Sequence, residues 1–272
     1  QIEGNEYRVL NDITENQENM LGLVIEFHEC DLMSEKINNF IEKMNSGRPC
    51  LGSAVTFADL SITEALAVAC DFIWIDLEHS PNSIESMVGH LIDCRAAKTP
   101  AFVRIPSGEI GWIKRVLDNG ADGIILPQAK TYEEIKSFVD ACYYPPNGTR
   151  GFGPRRPTDY GRLELNKYLD HASKNIFVCV QIESKSVVKD LDRIIEIPGL
   201  DSLCLGPMDL SGSVNKLGKT SDPEVIGLIE TTVQKGREAG LYLGMGMGAF
   251  PEAALEAIKI GIQWCQCGSD ME

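Results

Sequence analysis

The chain has 272 residues, of which 43% are hydrophobic, and a formal net charge of −15. That length supports one large domain with a substantial core. It contains no apolar run of the about 18 residues that mark a membrane span. Acid in such excess excludes a protein that grips nucleic acid through a basic stripe, and no basic start followed by an apolar stretch marks a secretory signal.

Residues 1–48 differ from the rest. Residues 1–35 hold nine acidic residues and one basic, Arg8, for a charge of −8. Asn11 to Asn19 reads as a polar loop, Leu21 to Phe27 as a strand, and Ser34 to Met44 as a helix with Ile37, Phe40, Ile41 and Met44 on one face. Ser46-Gly47-Arg48-Pro49 then breaks the pattern. The expected division is an acidic, partly helical extension over 1–48 and a catalytic domain over 49–272.

From Cys50 the pattern alternates. Strands are predicted near 50–56, 72–76, 100–105, 122–127, 176–182, 202–206, 241–245 and 262–267. Helices are predicted near 59–69, 83–97, 109–119, 131–142, 184–196, 222–239 and 251–260. Eight strands with helices between them fit the α/β class and a (β/α)₈ TIM barrel. No eighth helix follows the last strand. Truncation, a gap on the outside of the barrel, or cover by the N-terminal helix would each account for that.

The connection Tyr143 to Asn175 is long, and its first part, through Arg156, is rich in Gly, Pro and Arg. Long connections in compact domains are often functional. Its arginines, on an acidic protein, point to a mouth-side lid that attracts an anionic substrate; the alternative is a solvated surface loop. The nine cysteines, an odd number without secretory features, read as reduced, buried thiols of a cytoplasmic protein. Cys265 and Cys267 share one face of a strand with no second pair, so core packing is favoured over zinc.

Four polar signatures end apolar, strand-like runs: Asp76-Leu77-Glu78-His79, Arg104, Gln181-Ile182-Glu183 and Gly206-Pro207-Met208-Asp209. Parallel α/β folds place their chemistry at the carboxyl ends of strands. Glu183 and Asp209 end neighbouring predicted strands. Two carboxylates suit Mg²⁺ or Mn²⁺, with Co²⁺ as a further option; equally, either could cap the helix after it. Arg104 suits bidentate capture of a carboxylate or enolate, or a structural ion pair. Gln181 shares a face with Glu183 and can donate to a substrate. Gly206 and Pro207, just before Asp209, are read as substrate-binding.

His79 can move a proton at a hydroxyl, although a lone histidine is more often structural. His28, His90 and His171 lie off the strand ends. Asp118 ends a helix, which places it on the opposite face of the barrel. Gly244-Met-Gly-Met-Gly248 lacks the other residues of a phosphate cradle, so close backbone approach is the better reason for it. Lys130 is a weak candidate for a Schiff base.

Taken together, Phe72–Pro81, Val103–Pro106, Ile113–Pro127, Tyr144–Pro154, Val180–Glu183 and Gly206–Ser211 resemble the HpcH/HpaI aldolase family of metal-dependent class II pyruvate aldolases. The resemblance covers about residues 50–268. It implies a barrel of the phosphoenolpyruvate/pyruvate type, metal ligands at Glu183 and Asp209, pyruvate contacts from Arg104 and Gln181, His79 as catalytic base, and Asp118 paired with that histidine. It also implies a homo-oligomer, usually a hexamer that exchanges the last helix. The expected activity is a lyase joining or cleaving pyruvate, or a similar 2-oxo acid, and an aldehyde. The alternatives are a citrate-synthase-like condensing enzyme on the same barrel, or a silent metabolite-binding or assembly module. The expected partners are these small molecules, with no nucleic acid and no membrane.

Overall fold

The computed structural model describes residues 35–272. The strand expected at Leu21–Phe27, the polar loop before it and His28 lie outside the described residues. Eight parallel strands close into a barrel in sequence order. They are β1 (Cys50–Val55), β2 (Phe72–Asp76), β3 (Ala101–Arg104), β4 (Gly123–Leu126), β5 (Phe177–Ile182), β6 (Ser202–Leu205), β7 (Tyr242–Met247) and β8 (Trp264–Ser269). The helices in chain order are α1 (Glu35–Asn45), α2 (Leu60–Ala67), α3 (Ile84–Ala96), α4 (Ile110–Asp118), α5 (Tyr132–Cys142), α6 (Leu165–Lys174), α7 (Lys185–Lys189), α8 (Leu191–Ile194), α9 (Pro207–Ser213), α10 (Pro223–Glu238) and α11 (Pro251–Lys259). Among the described residues no helix is long and apolar enough to cross a membrane, and none follows β8.

Each strand alternates its side chains across the barrel wall. Outward residues such as Ile73, Ile75, Val103, Val178 and Val180 pack under the helices. Inward residues Phe72, Trp74, Phe102, Phe177 and Trp264 form a second, aromatic core. That core gathers where the strands begin, and α1 closes it. Phe40 meets Phe72, Phe102 and Phe177 edge-on at centroid distances of 5.6, 5.0 and 5.5 Å. Ile37, Phe40 and Met44 are buried there, so the helical periodicity expected for this segment is realised. The boundary expected at 48/49 is corrected: residues 36–48 belong with the barrel, the compact unit running from Lys36 to Glu272. The helix seals the floor of the barrel and leaves its flank uncovered, where Leu51 on the outer face of β1 is 43% exposed.

The floor carries a fourfold device. Asp71 accepts from the Leu51 amide at 2.8 Å, Asp122 from Ala101 at 2.9 Å, Asp201 from Val178 at 2.8 Å and Gln263 from Leu243 at 3.1 Å. Each acceptor precedes an even-numbered strand and holds the start of the odd-numbered strand before it.

The glycine run in β7 serves packing. A Cβ on Gly244 would lie 2.1 Å from the Trp264 ring, so glycine is required for that indole to enter the core. Cys265 is a buried thiol of the outer core.

The lid expected in the Tyr143–Asn175 connection is corrected. Arg150 pairs with Asp118 at 2.7 Å, Arg156 donates to the Asn119 carbonyl at 2.7 Å, and Tyr143 donates to the Gly199 carbonyl at 2.8 Å. These partners lie on the turns that feed β4 and β6. A connection running from a helix into a strand returns to the strand's beginning, so this one lies against the floor. Its second part folds as a 3₁₀ turn (Arg156–Gly161) and α6.

Candidate active site

The mouth, where the strands end, receives the polar signatures. Asp76, the last residue of β2, follows Phe72 and Trp74 on the inward face and is 2% exposed. It stands opposite Arg104 in the β2–β3 register. Its carboxylate accepts from Arg104 Nε at 2.9 Å and NH2 at 2.7 Å. The same carboxylate accepts from the amides of Glu78 at 2.9 Å and His79 at 3.3 Å. One buried acid therefore aims the guanidinium and also shapes the turn that carries the histidine.

Glu78 lies 3.2 Å from Arg104 NH1 and 3.6 Å from His79 Nε2. The face of Trp74 lies 5.3 Å from the guanidinium carbon. Burial lowers the pKa of Arg104, but the hydrogen bonds and charge of Asp76, with Glu78 and Glu183, more than offset this and raise it. A guanidinium has five N–H groups. Asp76 takes hydrogen bonds from Nε and NH2, while Glu78 lies beside NH1 as an ion pair whose Oε2 has no hydrogen-bond partner among the described residues, so N–H groups on both terminal nitrogens stay uncommitted. His79 itself is exposed, with 66% of its side chain accessible.

Glu183 follows β5 on the inward face. Its Oε2 accepts from the Gln128 amide at 2.6 Å and its Oε1 from Gln181 Nε2 at 3.1 Å. Gln128 is held at φ +53, a left-handed conformation that aims its N–H at the carboxylate. Gly206 packs against Glu183: a Cβ there would lie 2.8 Å from Glu183 Cγ. Asp209 sits in the first turn of α9. The helix-cap alternative does not hold for either acid. Ser184 caps α7 through its side chain, and the cap position of α9 is Gly206, with no side-chain cap bond.

Burial, with repulsion from Asp209 and Glu78, raises Glu183 to about 7 despite the Gln128 bond. Burial raises Glu78 to about 7, with Asp76 and Asp209 adding to it against the pull of Arg104. The buried Oε1 of Gln181 has no hydrogen-bond partner among the described residues. Clustered carboxylates that repel one another beside an orphaned carbonyl oxygen are an all-oxygen donor set suited to a hard divalent cation. Glu183 and Asp209 fit a metal on this observation.

The profile of the HpcH/HpaI aldolase/citrate lyase family matches residues 56–272. The chain belongs to this family. It is 32% identical over 214 residues to the hydroxypyruvate/pyruvate aldolase of Roseobacter denitrificans, covering 78% of this chain and 84% of that one. It is 31% identical over 236 residues to the 2-keto-3-deoxy-L-rhamnonate aldolase of Escherichia coli O9:H4, covering 86% and 87%. The crystal structure of an HpcH/HpaI family protein from Burkholderia cenocepacia superposes with a TM-score of 0.78 at 30% identity, covering 85% of this chain and 92% of that one.

Within this HpcH/HpaI barrel the mouth gathers His79, Arg104, Gln181, Glu183, Gly206, Pro207 and Asp209. It does not gather Asp118. That residue ends α4 on the floor, where its Oδ1 takes Arg150 NH2 at 2.7 Å. Lys130 is exposed beyond β4, with its amide on Glu134 at 2.7 Å. His90 is buried, with Nδ1 2.8 Å from Thr63 Oγ1, and His171 lies in the last turn of α6. Gln181 spends one amide N–H on Glu183 rather than keeping both for a ligand. Sequence reasoning left Asp76, Glu78 and Gln128 without roles. The period-2 spacing of Trp74, Asp76 and Glu78 carries the inward face past the end of β2 and marks the first two; no local signal marks an amide such as that of Gln128.

Proposed function

We propose that the chain is a pyruvate aldolase. It would cleave a 4-hydroxy-2-oxo acid to pyruvate and an aldehyde, and run the reverse addition. The observation that carries this reading is the approach of the Asp76-clamped Arg104 to the Glu183–Asp209 pair across one mouth. The names of the aldolase relatives support it.

In cleavage, His79 takes the proton from the C4 hydroxyl. The C3–C4 bond breaks, the aldehyde leaves, and its electron pair remains on the enolate of pyruvate. Arg104 turns its uncommitted N–H groups to the developing negative charge. A Mg²⁺, Mn²⁺ or Co²⁺ ion held by Glu183 and Asp209 would supply Lewis-acid stabilisation of that charge. Gln181 and Gln128 hold Glu183 in place, and Gly206 and Pro207 border the 2-oxo acid. Protonation at C3 then gives pyruvate.

Asp118 is proposed to serve the His79 of a second copy in a homo-oligomer. Its Oδ2 carries no hydrogen bond from the described residues, and it sits on a floor opposite its own mouth. Eight free cysteines among the described residues support a reducing, cytoplasmic setting.

The test is exchange of the pyruvate methyl protons in deuterated water with Mn²⁺, followed by mass spectrometry. Exchange that EDTA and Glu183→Ala both abolish is expected. Exchange that survives both would remove the metal role, and its absence throughout would remove the aldolase.

A further inference from the structure

Two motifs of the sequence take no part in the mouth: Met245-Gly246-Met247 in β7 and Cys265-Gln266-Cys267 in β8. The members of each pair are two residues apart, so each pair lies on one face of its strand. The barrel sets the strands side by side in a register that pairs Met245 with Cys265 and Met247 with Cys267. Two thioethers and two thiols thus occupy a square on adjacent strands.

All four face outwards. Met245 and Cys265 belong to the outer core, and Met247 and Cys267 pack against it, whereas Tyr242 and Trp264, of opposite parity, pack in the inner aromatic core. Neighbouring strands stand about 4.8 Å apart, and residues two apart along a strand about 6.6 Å, distances that the flexible methionine side chain spans. Met245 and Cys265 are buried and Met247 and Cys267 half-buried, so the square is closed at one edge and open at the other. The helix that joins the two strands, α11, buries Ala254 and Ala257, an apolar cover that brings no competing donor.

The two thiols already meet. Cys265 donates a hydrogen bond to Cys267, which raises the pKa of Cys265 and lowers that of Cys267; burial adds to the rise at Cys265 and opposes the fall at Cys267. The thiol nearer to solvent is therefore the readier thiolate, and thiolate is the form that binds a metal. Among the described residues no histidine, carboxylate or third cysteine joins this pair to make a metal-holding group of three, so the ligand set of a structural zinc is not met. Thiolates beside thioethers are instead the donors that select Cu(I).

We infer that Met245, Met247, Cys265 and Cys267 form a binding site for one Cu(I) ion on the outer wall of the barrel. The ion displaces the thiol protons and takes both cysteine sulfurs, and the methionines swing their thioethers onto it. The carboxylates of the mouth suit a hard divalent ion, so the two faces of the wall sort metals by softness. The inference does not depend on the aldolase reading.

The test titrates the full chain, loaded with Mn²⁺ and kept under ascorbate without oxygen, with Cu(I) in competition with the chelator bathocuproine disulfonate. One tightly held Cu(I) per chain is expected. The double variant Cys265→Ser/Cys267→Ser should weaken binding by about 100-fold, and Met245→Leu/Met247→Leu by about tenfold. The methionine variant nearly conserves volume, and circular dichroism reads the fold of both. X-ray absorption of the loaded protein should show sulfur alone bound to copper. Wild-type affinity in the cysteine variant would place the copper on other thiols and overturn the inference. Wild-type affinity in the methionine variant, nitrogen or oxygen bound to copper, or no stoichiometric binding at all would overturn it equally. If the cysteine variant does not fold, the methionine variant and the absorption spectrum decide.

Discussion

Asp76 and Arg104 face each other across β2 and β3 and join through two parallel hydrogen bonds of 2.9 and 2.7 Å. Asp76 is buried and Arg104 partly so, and a bidentate fork of this kind fixes the plane of the guanidinium as well as its place. The structural ion pair and the anion clamp, which compete as readings of Arg104 in the sequence, are compatible: Asp76 holds one edge of the group while the other edge stays available.

Arg104→Lys is accordingly not a conservative change. It keeps the charge and loses the fork, and kcat/KM for aldol cleavage should fall by roughly 10²–10³. Asp76→Asn should cost a comparable amount, because it disturbs Arg104 and the turn of His79 together. Steady-state kinetics on both variants checks this. An Asp76→Asn enzyme with wild-type kcat would show that the clamp is dispensable.

Gly206→Ala places a Cβ 2.8 Å from Glu183 Cγ and 3.0 Å from Oε1. Glu183 must move, so metal affinity should weaken by about 10–100-fold while the barrel stays folded. Isothermal titration with Mn²⁺ reads the affinity, and circular dichroism reads the fold.

Glu78 and Glu183 are each raised from 4.5 to about 7. Between those values the folded state binds more protons than the unfolded one, so stability of the metal-free protein falls as pH rises. For Glu183 alone the loss is on the order of 3 kcal/mol, and the melting temperature should drop on the order of 5–10 °C between about pH 5 and pH 8. Metal binding needs the charged carboxylate, so excess Mn²⁺ should restore stability most above pH 7. Melting curves with and without metal test the sign.

How much of this was visible in the sequence depends on direction. The strands were legible because alternation places Phe72, Trp74 and Asp76 on one face and Ile73 and Ile75 on the other. The mouth residues were legible because each follows such a run. The Arg150–Arg156 segment was misplaced because its composition says loop without saying which end of the barrel. Its position after a helix and before a strand would have settled that. The helix α9 was hidden by its seven residues and its opening Gly206-Pro207, and α6 by the loop-like residues before it. The domain boundary was misjudged because Phe40 finds its partners in Phe72, Phe102 and Phe177, far along the chain.

Phe40→Ala tests that last contact. It opens a cavity under the aromatic core and should destabilise the barrel by about 3–5 kcal/mol. Urea denaturation measures the loss, and pyruvate exchange by the surviving folded fraction should persist.

Asp118→Asn and His79→Asn, each inactive alone, should regain part of their activity when mixed and reassembled, if one copy's floor serves another's mouth. Failure to recover while mixed oligomers form would confine Asp118 to holding Arg150.

The four floor acceptors, Asp71, Asp122, Asp201 and Gln263, bind the strands two by two. The barrel is thus a ring of four modules, each locked by one side chain at the end remote from catalysis. Closure is secured where no substrate arrives, so the loops at the opposite rim can be exchanged, lengthened or recharged without asking the ring to hold itself together anew. A scaffold divided in this way lets a lineage change its aldehyde partner by local substitution while the enolate chemistry and the architecture stay as they are.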